Sequence, residues 1–154
     1  MIKITVENPN DTLSKQLMAE LTAELKTRYD GSAELDVTRM PELHSVSSDD
    51  VQFVIAWLDG QAVGCGAIRP IDAQATEVKR MYVRPTARGK GISRLILAKL
   101  ESLAQESGFK TTRLETGLQQ PEAITLYESS GYTRIPCYGV YAQNPESVCY
   151  EKLL

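Results

Sequence analysis

The sequence predicts a single α/β domain built around a mixed β-sheet, and three observations support that prediction. Stretches of period-two alternation, such as "IKITV" at 2–6, share the chain with helical spacing such as Leu13, Leu17, Leu21 and Leu25. The 154 residues, 42% hydrophobic and 24% charged, suit one globular domain with a proper core. No repeat, low-complexity segment or linker divides the chain.

The opening "MIKITVENPN" lacks the apolar stretch of a signal peptide and reads as a first strand. Asn10 or Asp11 then caps a helix carrying the leucine stripe, which should fray near "YDG", where Gly31 allows a left-handed cap. Residues 32–50 show no strong period and contain Pro41. They read as a loop with at most a short helix, placed to wall a substrate pocket. "VQFVIAWL" and "QAVGCGAIRP" are strands joined through Asp59-Gly60, a two-residue hairpin signal. "ATEVKRMYV" is a third strand, stopped at Arg84-Pro85 because proline cannot continue the ladder.

From Gly91 a helix runs to about Ser107, with Ile92, Leu95, Ile96, Leu100, Leu103 and Ala104 on one face and Gly108 as its stop. "TTRLET" is a further strand. "QPEAITLYESSGY" is a short helix opened by Pro121 and closed by Gly131. The tail, "SVCYEKLL", supplies one or two more strands.

Composition removes several functions. A net charge of −3 argues against nucleic acid or an anionic membrane as partner. The longest apolar runs, such as "FVIAWL" at 53–58, are far too short to span a bilayer. Cys65, Cys137 and Cys149 are odd in number and lack C-x-x-C spacing, so they read as buried reduced thiols of a cytoplasmic protein. His44 is the one histidine and has no cysteine near it in sequence, so no metal is expected.

Positive charge concentrates at one strand-to-helix junction. Between Val78 and Leu100 stand Lys79, Arg80, Arg84, Arg88, Lys90, Arg94 and Lys99, with no acidic residue among them. A helix N-terminus offers free N–H groups and a partial positive charge, and glycines at 89 and 91 let the backbone approach an anion. The junction therefore reads as a pyrophosphate cradle. "RGKGIS" is not a nucleotide P-loop. "GCGAIR" at 64–69 is not a dinucleotide fingerprint either, because its glycines lie inside a strand.

The stretch "VKRMYVRPTARGKGISRLIL" closely resembles the coenzyme A-binding motif of the GCN5-related N-acetyltransferase (GNAT) family: a strand, V-x-P, then [QR]-x-x-G-x-[GA] opening a helix. Arg88, Gly91 and Ser93 fill the signature positions, with serine standing where glycine or alanine is usual. A second family motif resembles "AITLYESSGY", and the β–α order agrees over roughly residues 50–154. The resemblance implies a mostly antiparallel twisted sheet, splayed between two strands and flanked by about four helices. It implies acetyl-CoA as co-substrate, with Arg88, Gly89, Lys90, Gly91, Ile92 and Ser93 around the pyrophosphate. Main-chain groups of Met81, Tyr82 and Val83 would meet the pantetheine arm in the splay.

Acetyl transfer to an amine needs a bound thioester, a polarised carbonyl, a deprotonated nucleophile and a proton for the departing thiolate. By resemblance, Glu77 matches a catalytic glutamate of some members and is the expected base. Glu115 on the neighbouring strand is an alternative, and an exposed Glu77 paired with Lys79 is the structural reading. A carboxylate of ordinary pKa, about 4.3, needs burial or a water relay to act on an ammonium. Tyr127 falls where many relatives place a tyrosine beside the coenzyme sulfur and is the expected acid, against a purely core role. Tyr132 and Phe109 read as core, and His44 as a loop residue.

The function expected is transfer of acetyl from acetyl-CoA to a primary amine of a small molecule, such as an amino acid or related metabolite, in a ternary complex. The protein would be a monomer or homodimer. A protein-lysine or N-terminal acetyltransferase would favour an acidic groove, for which only "SSDD" at 47–50 speaks. A non-catalytic coenzyme A-binding module is the remaining alternative. Arg39, His44, Arg134, Tyr138 and Tyr141 fall in the expected acceptor walls and would suit an acceptor bearing a carboxylate.

Overall fold

Asp59 and Gly60 both take positive φ, 50° and 84°, as a tight two-residue hairpin between right-twisted strands demands. They join β2 (Gln52–Leu58) to β3 (Gln61–Pro70), which pair antiparallel. The computed structural model in which this is seen describes residues 1–29 and 50–154. In it β1 (Ile2–Glu7) pairs antiparallel with β2, and α1 (Thr12–Arg28) follows β1. β4 (Ala75–Val83) returns along β3, and the 3₁₀ turn Pro85–Ala87 leads to α2 (Ile92–Glu106). Then come β5 (Thr111–Gly117), α3 (Pro121–Ser129), β6 (Thr133–Ile135) and β7 (Ser147–Leu153). The sheet order is β1-β2-β3-β4-β5-β7-β6, and β4–β5 is its parallel pair.

Period-two alternation sorts the core onto two faces. Val54, Ala56, Ile68, Val78 and Leu114 point to one side, where Ile92, Ile96, Leu97 and Leu100 of α2 cover them. Phe53, Ile55, Cys65, Ala67 and Tyr82 point to the other, under Leu17 and Leu21 of α1. Ile96 and Leu100 are fully buried, so truncating either to alanine would cost about 2–5 kcal/mol. The glycines of "GCGAIR" serve this packing. A Cβ on Gly66 would lie 2.7 Å from the Ile96 side chain, and one on Gly64 would lie 2.6 Å from the Tyr82 carbonyl.

The feature that makes the site is where β4 and β5 part. Their register runs from Ala75↔Thr111 to Val78↔Leu114 and ends, while residues 79–83 and 115–117 continue without pairing to each other. The cause lies on the β3 side of β4. Arg80 has φ 59°, and the β3–β4 register shifts between Cys65 and Ala67, which marks a β-bulge that bends β4 away. β5 stays with β7 as far as Gly117↔Ser147. The splay expected from the family resemblance is present.

Two expectations need correction. Cys137 and Cys149 form a disulfide, with Cα atoms 5.1 Å apart, and Cys65 is the free, buried thiol. The chain turns back after the Ile135↔Cys149 pair, which brings Cys137 beside Cys149. The cysteine argument for a reducing compartment therefore falls away. Asp11 does occupy the N-cap of α1, but its side chain makes no capping hydrogen bond; the Ser14 hydroxyl instead donates to the Asn8 carbonyl at 2.8 Å. Gly31 lies outside the described residues, as do Arg39, His44 and most of "SSDD". Among the described residues three α-helices flank the sheet, and none is long and apolar enough to cross a membrane.

Candidate active site

Gly89 and Gly91 have φ of 79° and 77°, in the left-handed region where a side chain is strained. A Cβ at either would meet nothing within 4 Å, so backbone conformation, not crowding, requires glycine here. Gly91 is the N-cap of α2. The first amide to bond back is that of Leu95, donating to the Gly91 carbonyl at 3.3 Å. The amides of residues 89–93 donate to no described residue. They lie at the positive end of a 15-residue helix, which fits a pyrophosphate.

The basic side chains around this cradle are mostly engaged elsewhere. Arg84 grips Glu20 through two bonds, Nε to Oε1 at 2.9 Å and Nη2 to Oε2 at 2.8 Å. This pair holds the Glu20 carboxyl below its ordinary range. Arg88 donates from Nη2 to Glu24 at 2.6 Å and from Nε to the Val83 carbonyl at 2.8 Å, with its guanidinium 5.9 Å from the Tyr82 ring centre. Arg94 bonds Ser129 and Ser130 at the C-terminal end of α3. Much of the charge seen in the sequence therefore fastens α1 and α3 to the junction. Lys90 remains exposed, with no ion pair to a described residue.

A cleft of about 260 Å³ opens beside the cradle. Its walls include Met81, Tyr82, Val83, Arg88, Gly89, Gly91, Ile92 and Ser93, together with Tyr127. Lys90 and Glu77 do not line it. The wall also takes in Ala87, with Leu21, Glu24 and Arg28 of α1 and Gln120, Glu122, Ala123 and Leu126 at α3, and Glu24, Arg28, Gln120 and Glu122 carry no local sequence signal for this role. Arg28 ties these helices together, pairing with Glu122 and donating to the Gln119 carbonyl at 3.2 Å.

Tyr127 is 5% exposed, with its ring edge-on to Tyr132 at 5.7 Å and tilted to Tyr150 at 6.3 Å. Its hydroxyl bonds to no described residue. Burial, and then the negative charge of Glu115, push its pKa well above the usual phenol value, so it stays protonated across the neutral range.

Glu77 stands apart from the cleft, on the α1 side of the still-paired part of the sheet and in register with Arg69 and Arg113. It is 1% exposed, not an exposed strand residue. Arg69 Nε donates to Oε1 at 3.1 Å, Lys79 Nζ lies 3.6 Å from the same oxygen, and the Tyr138 hydroxyl donates to Oε2 at 2.7 Å. Lys79 also donates to the Tyr141 hydroxyl at 2.7 Å. Glu115 is half-buried just beyond the last β4–β5 pair and accepts from the Ser147 hydroxyl at 2.6 Å. Tyr132 is buried, its hydroxyl bonded to Glu101 and Thr112, and Phe109 packs on the same core.

Comparison with known proteins agrees with this arrangement. The model of the acetyltransferase (GNAT) family matches residues 14–132. An IAA acetyltransferase of Azospirillum brasilense is 36% identical over 99% of this chain and 98% of its own. A solved structure from Klebsiella pneumoniae, provisionally described as an acyl-CoA N-acyltransferase, superposes with a TM-score of 0.86 at 35% identity, covering 100% of this chain and 98% of that one. An N-acetyltransferase of Thermoplasma acidophilum, solved with coenzyme A, has a TM-score of 0.73 at 18% identity, covering 100% of this chain and 99% of its own, and shows the shared fold. With its splayed sheet, its glycine cradle and a family match over most of its length, the chain belongs to the GNAT family of acetyltransferases.

Proposed function

We propose that the protein moves the acetyl group of acetyl-CoA to the primary amine of a small molecule, by direct attack in a ternary complex. The observation that carries this reading is the single cleft shared by the cradle glycines, the β4 segment Met81–Val83 and Tyr127. The amides of residues 89–93, without a partner among the described residues, fit the pyrophosphate, and the end of β4 that does not pair with β5 leaves main-chain groups for the pantetheine arm. The bound co-substrate supplies the thioester. The chain's own residues orient it and move the protons.

Tyr127 serves as the acid for the departing thiolate. Its raised pKa keeps the proton on the phenol until transfer. Glu77 serves as the final proton acceptor for the amine. A small-molecule acceptor is supported by the 36% identical relative named IAA acetyltransferase. Acetyl-CoA as co-substrate is supported by fold neighbours solved with acetyl-CoA or coenzyme A.

The test is a thiol-release assay with acetyl-CoA against amino acids, polyamines, aminoglycosides and lysyl peptides. Turnover confined to small amines supports the reading. Turnover confined to peptides contradicts it and favours a protein acceptor.

A further inference from the structure

A base must be reached by the proton it accepts, and the Glu77 carboxylate is sealed. It is 1% exposed, and its partners are Arg69, Lys79 and Tyr138. Two of these cannot pass a proton inward. A guanidinium and an ammonium offer donors but no lone pair to receive one. A phenol does both, accepting on its oxygen while donating its own hydrogen. Tyr138 is half-buried, and its hydroxyl already donates to Glu77 Oε2 at 2.7 Å.

The surroundings suit a neutral relay. Burial, then the charge of Glu77 and its hydrogen bond, raise the Tyr138 pKa far above the phenol range, so a free phenolate is not formed. Glu77 stands one residue before Val78, the last β4 residue paired to β5, so the Tyr138–Glu77 pair adjoins the point where the two strands part. The ring is held edge-on to Tyr141 at 5.6 Å, and Tyr141 is bonded to Lys79. The disulfide at Cys137 ties the preceding residue to β7. Among the described residues, the charged and titratable groups around the pair are Arg69 of β3, Lys79 of β4, Arg113 and Glu115 of β5, and Tyr141.

We infer that Tyr138 and Glu77 act as one proton-accepting unit, with the Tyr138 hydroxyl, not the carboxylate, as the group that meets the acceptor amine. The step balances without another reactant. An N–H bond of the ammonium breaks as an O–H bond forms at Tyr138 Oη, and the phenol's original proton passes to Glu77 Oε2. A cationic amine and a carboxylate become a neutral amine and a carboxylic acid. Arg69 and Lys79 keep the carboxylate in place before and after. The inference rests on Glu77 being the final proton acceptor in acetyl transfer.

The experiment measures kcat/KM by thiol release from about pH 6 to 9, using whichever amino acid, polyamine, aminoglycoside or lysyl peptide turns over fastest. It compares wild type, Tyr138→Phe, Glu77→Gln and the double variant. Tyr138→Phe should lose roughly 10²-fold at the acid end. Its loss should shrink as pH rises and the amine arrives already neutral, while the Kd for acetyl-CoA stays at the wild-type value. Glu77→Gln should show the same pH-dependent loss, and the double variant should be no slower than either single one. A wild-type profile for Tyr138→Phe alongside an impaired Glu77→Gln would overturn the relay and leave Glu77 as base. A wild-type profile for both would remove the base assignment itself. A loss equal at every pH, or losses that multiply in the double variant, would mark Tyr138 as structural and overturn the relay. If Glu77→Gln does not fold, the Tyr138→Phe profile decides alone.

Discussion

Arg88 Nη2 lies 2.6 Å from Glu24 Oε1, so a residue at a signature position of the family motif is fastened to α1 where both line the cleft. In the proposed reading, Glu24 is an acidic group lining the cleft that takes the pyrophosphate. Replacing Glu24 with glutamine removes that repulsion and loosens Arg88. The Kd for acetyl-CoA should fall by a few fold, about 1 kcal/mol at most for partly exposed charges, and the gain should shrink in high salt. Calorimetry at two salt concentrations checks it. An unchanged or raised Kd would show that the Arg88 anchor matters more than the charge.

Glu20 and Arg84 give a pH-dependent prediction. The Arg84 bonds lower the folded-state pKa of Glu20 below its ordinary 4.5. The unfolded chain then binds the proton more readily, so the pair stabilises the fold above that value and the contribution fades as pH falls below it. Glu20→Gln should lower Tm near pH 7 and give a curve that converges on wild type in acid. Parallel Tm curves down to pH 3 would contradict the linkage.

Gly91 tests the cradle through its backbone. Valine at φ 77° is strained by about 1–2 kcal/mol, and relief of that strain would re-aim the amides of residues 91–93. Gly91→Val should raise the Kd for acetyl-CoA tenfold or more, whereas Gly91→Asn, which tolerates the left-handed region, should lose much less. Equal binding by both variants, each folded, would remove the pyrophosphate from this loop.

The Cys137–Cys149 disulfide closes a loop with a sequence separation of 12. Its loss should cost about 3 kcal/mol through the greater freedom of the unfolded chain. Cys137→Ser should therefore melt lower than wild type, and a reductant should lower the wild-type Tm toward the variant's. Peptide mapping without reduction should recover the linked pair, and two free thiols there would contradict the bond.

Local chemistry made much of this fold legible. Asp59-Gly60 named its own turn, Pro85 ended β4, and Pro121 opened α3, each because one residue type constrains the backbone where it stands. The glycine turn at 89 and 91 ahead of a helix start was legible for the same reason, since the glycines and the helix start adjoin in sequence. What stayed hidden depends on contacts between distant segments. Arg84 read as part of a basic junction and Arg88 as a phosphate ligand, yet they meet Glu20 and Glu24, each 64 residues away. Cys137 met Cys149 only because β6 folds back along β7. For Glu77 the sequence left open a base and an exposed residue paired with Lys79, and its burial under Arg69 and Tyr138 comes from distant segments. The bulge at Arg80 has no local sequence mark, since arginine is not a residue that favours positive φ.

The central claim is that acetyl transfer occurs in the cleft with Tyr127 as the acid, and Tyr127→Phe tests it most directly. The change removes one hydroxyl and keeps the ring packed against Tyr132 and Tyr150, so Tm and the Kd for acetyl-CoA should stay close to wild type. The measurement is kcat for thiol release with saturating acetyl-CoA and amine, under conditions where chemistry limits the rate. A fall of roughly 10²-fold, with folding and coenzyme binding intact, is the predicted result. A wild-type kcat under those conditions would contradict the account, because the thiolate would then leave without the Tyr127 proton and the tyrosine would serve the core alone.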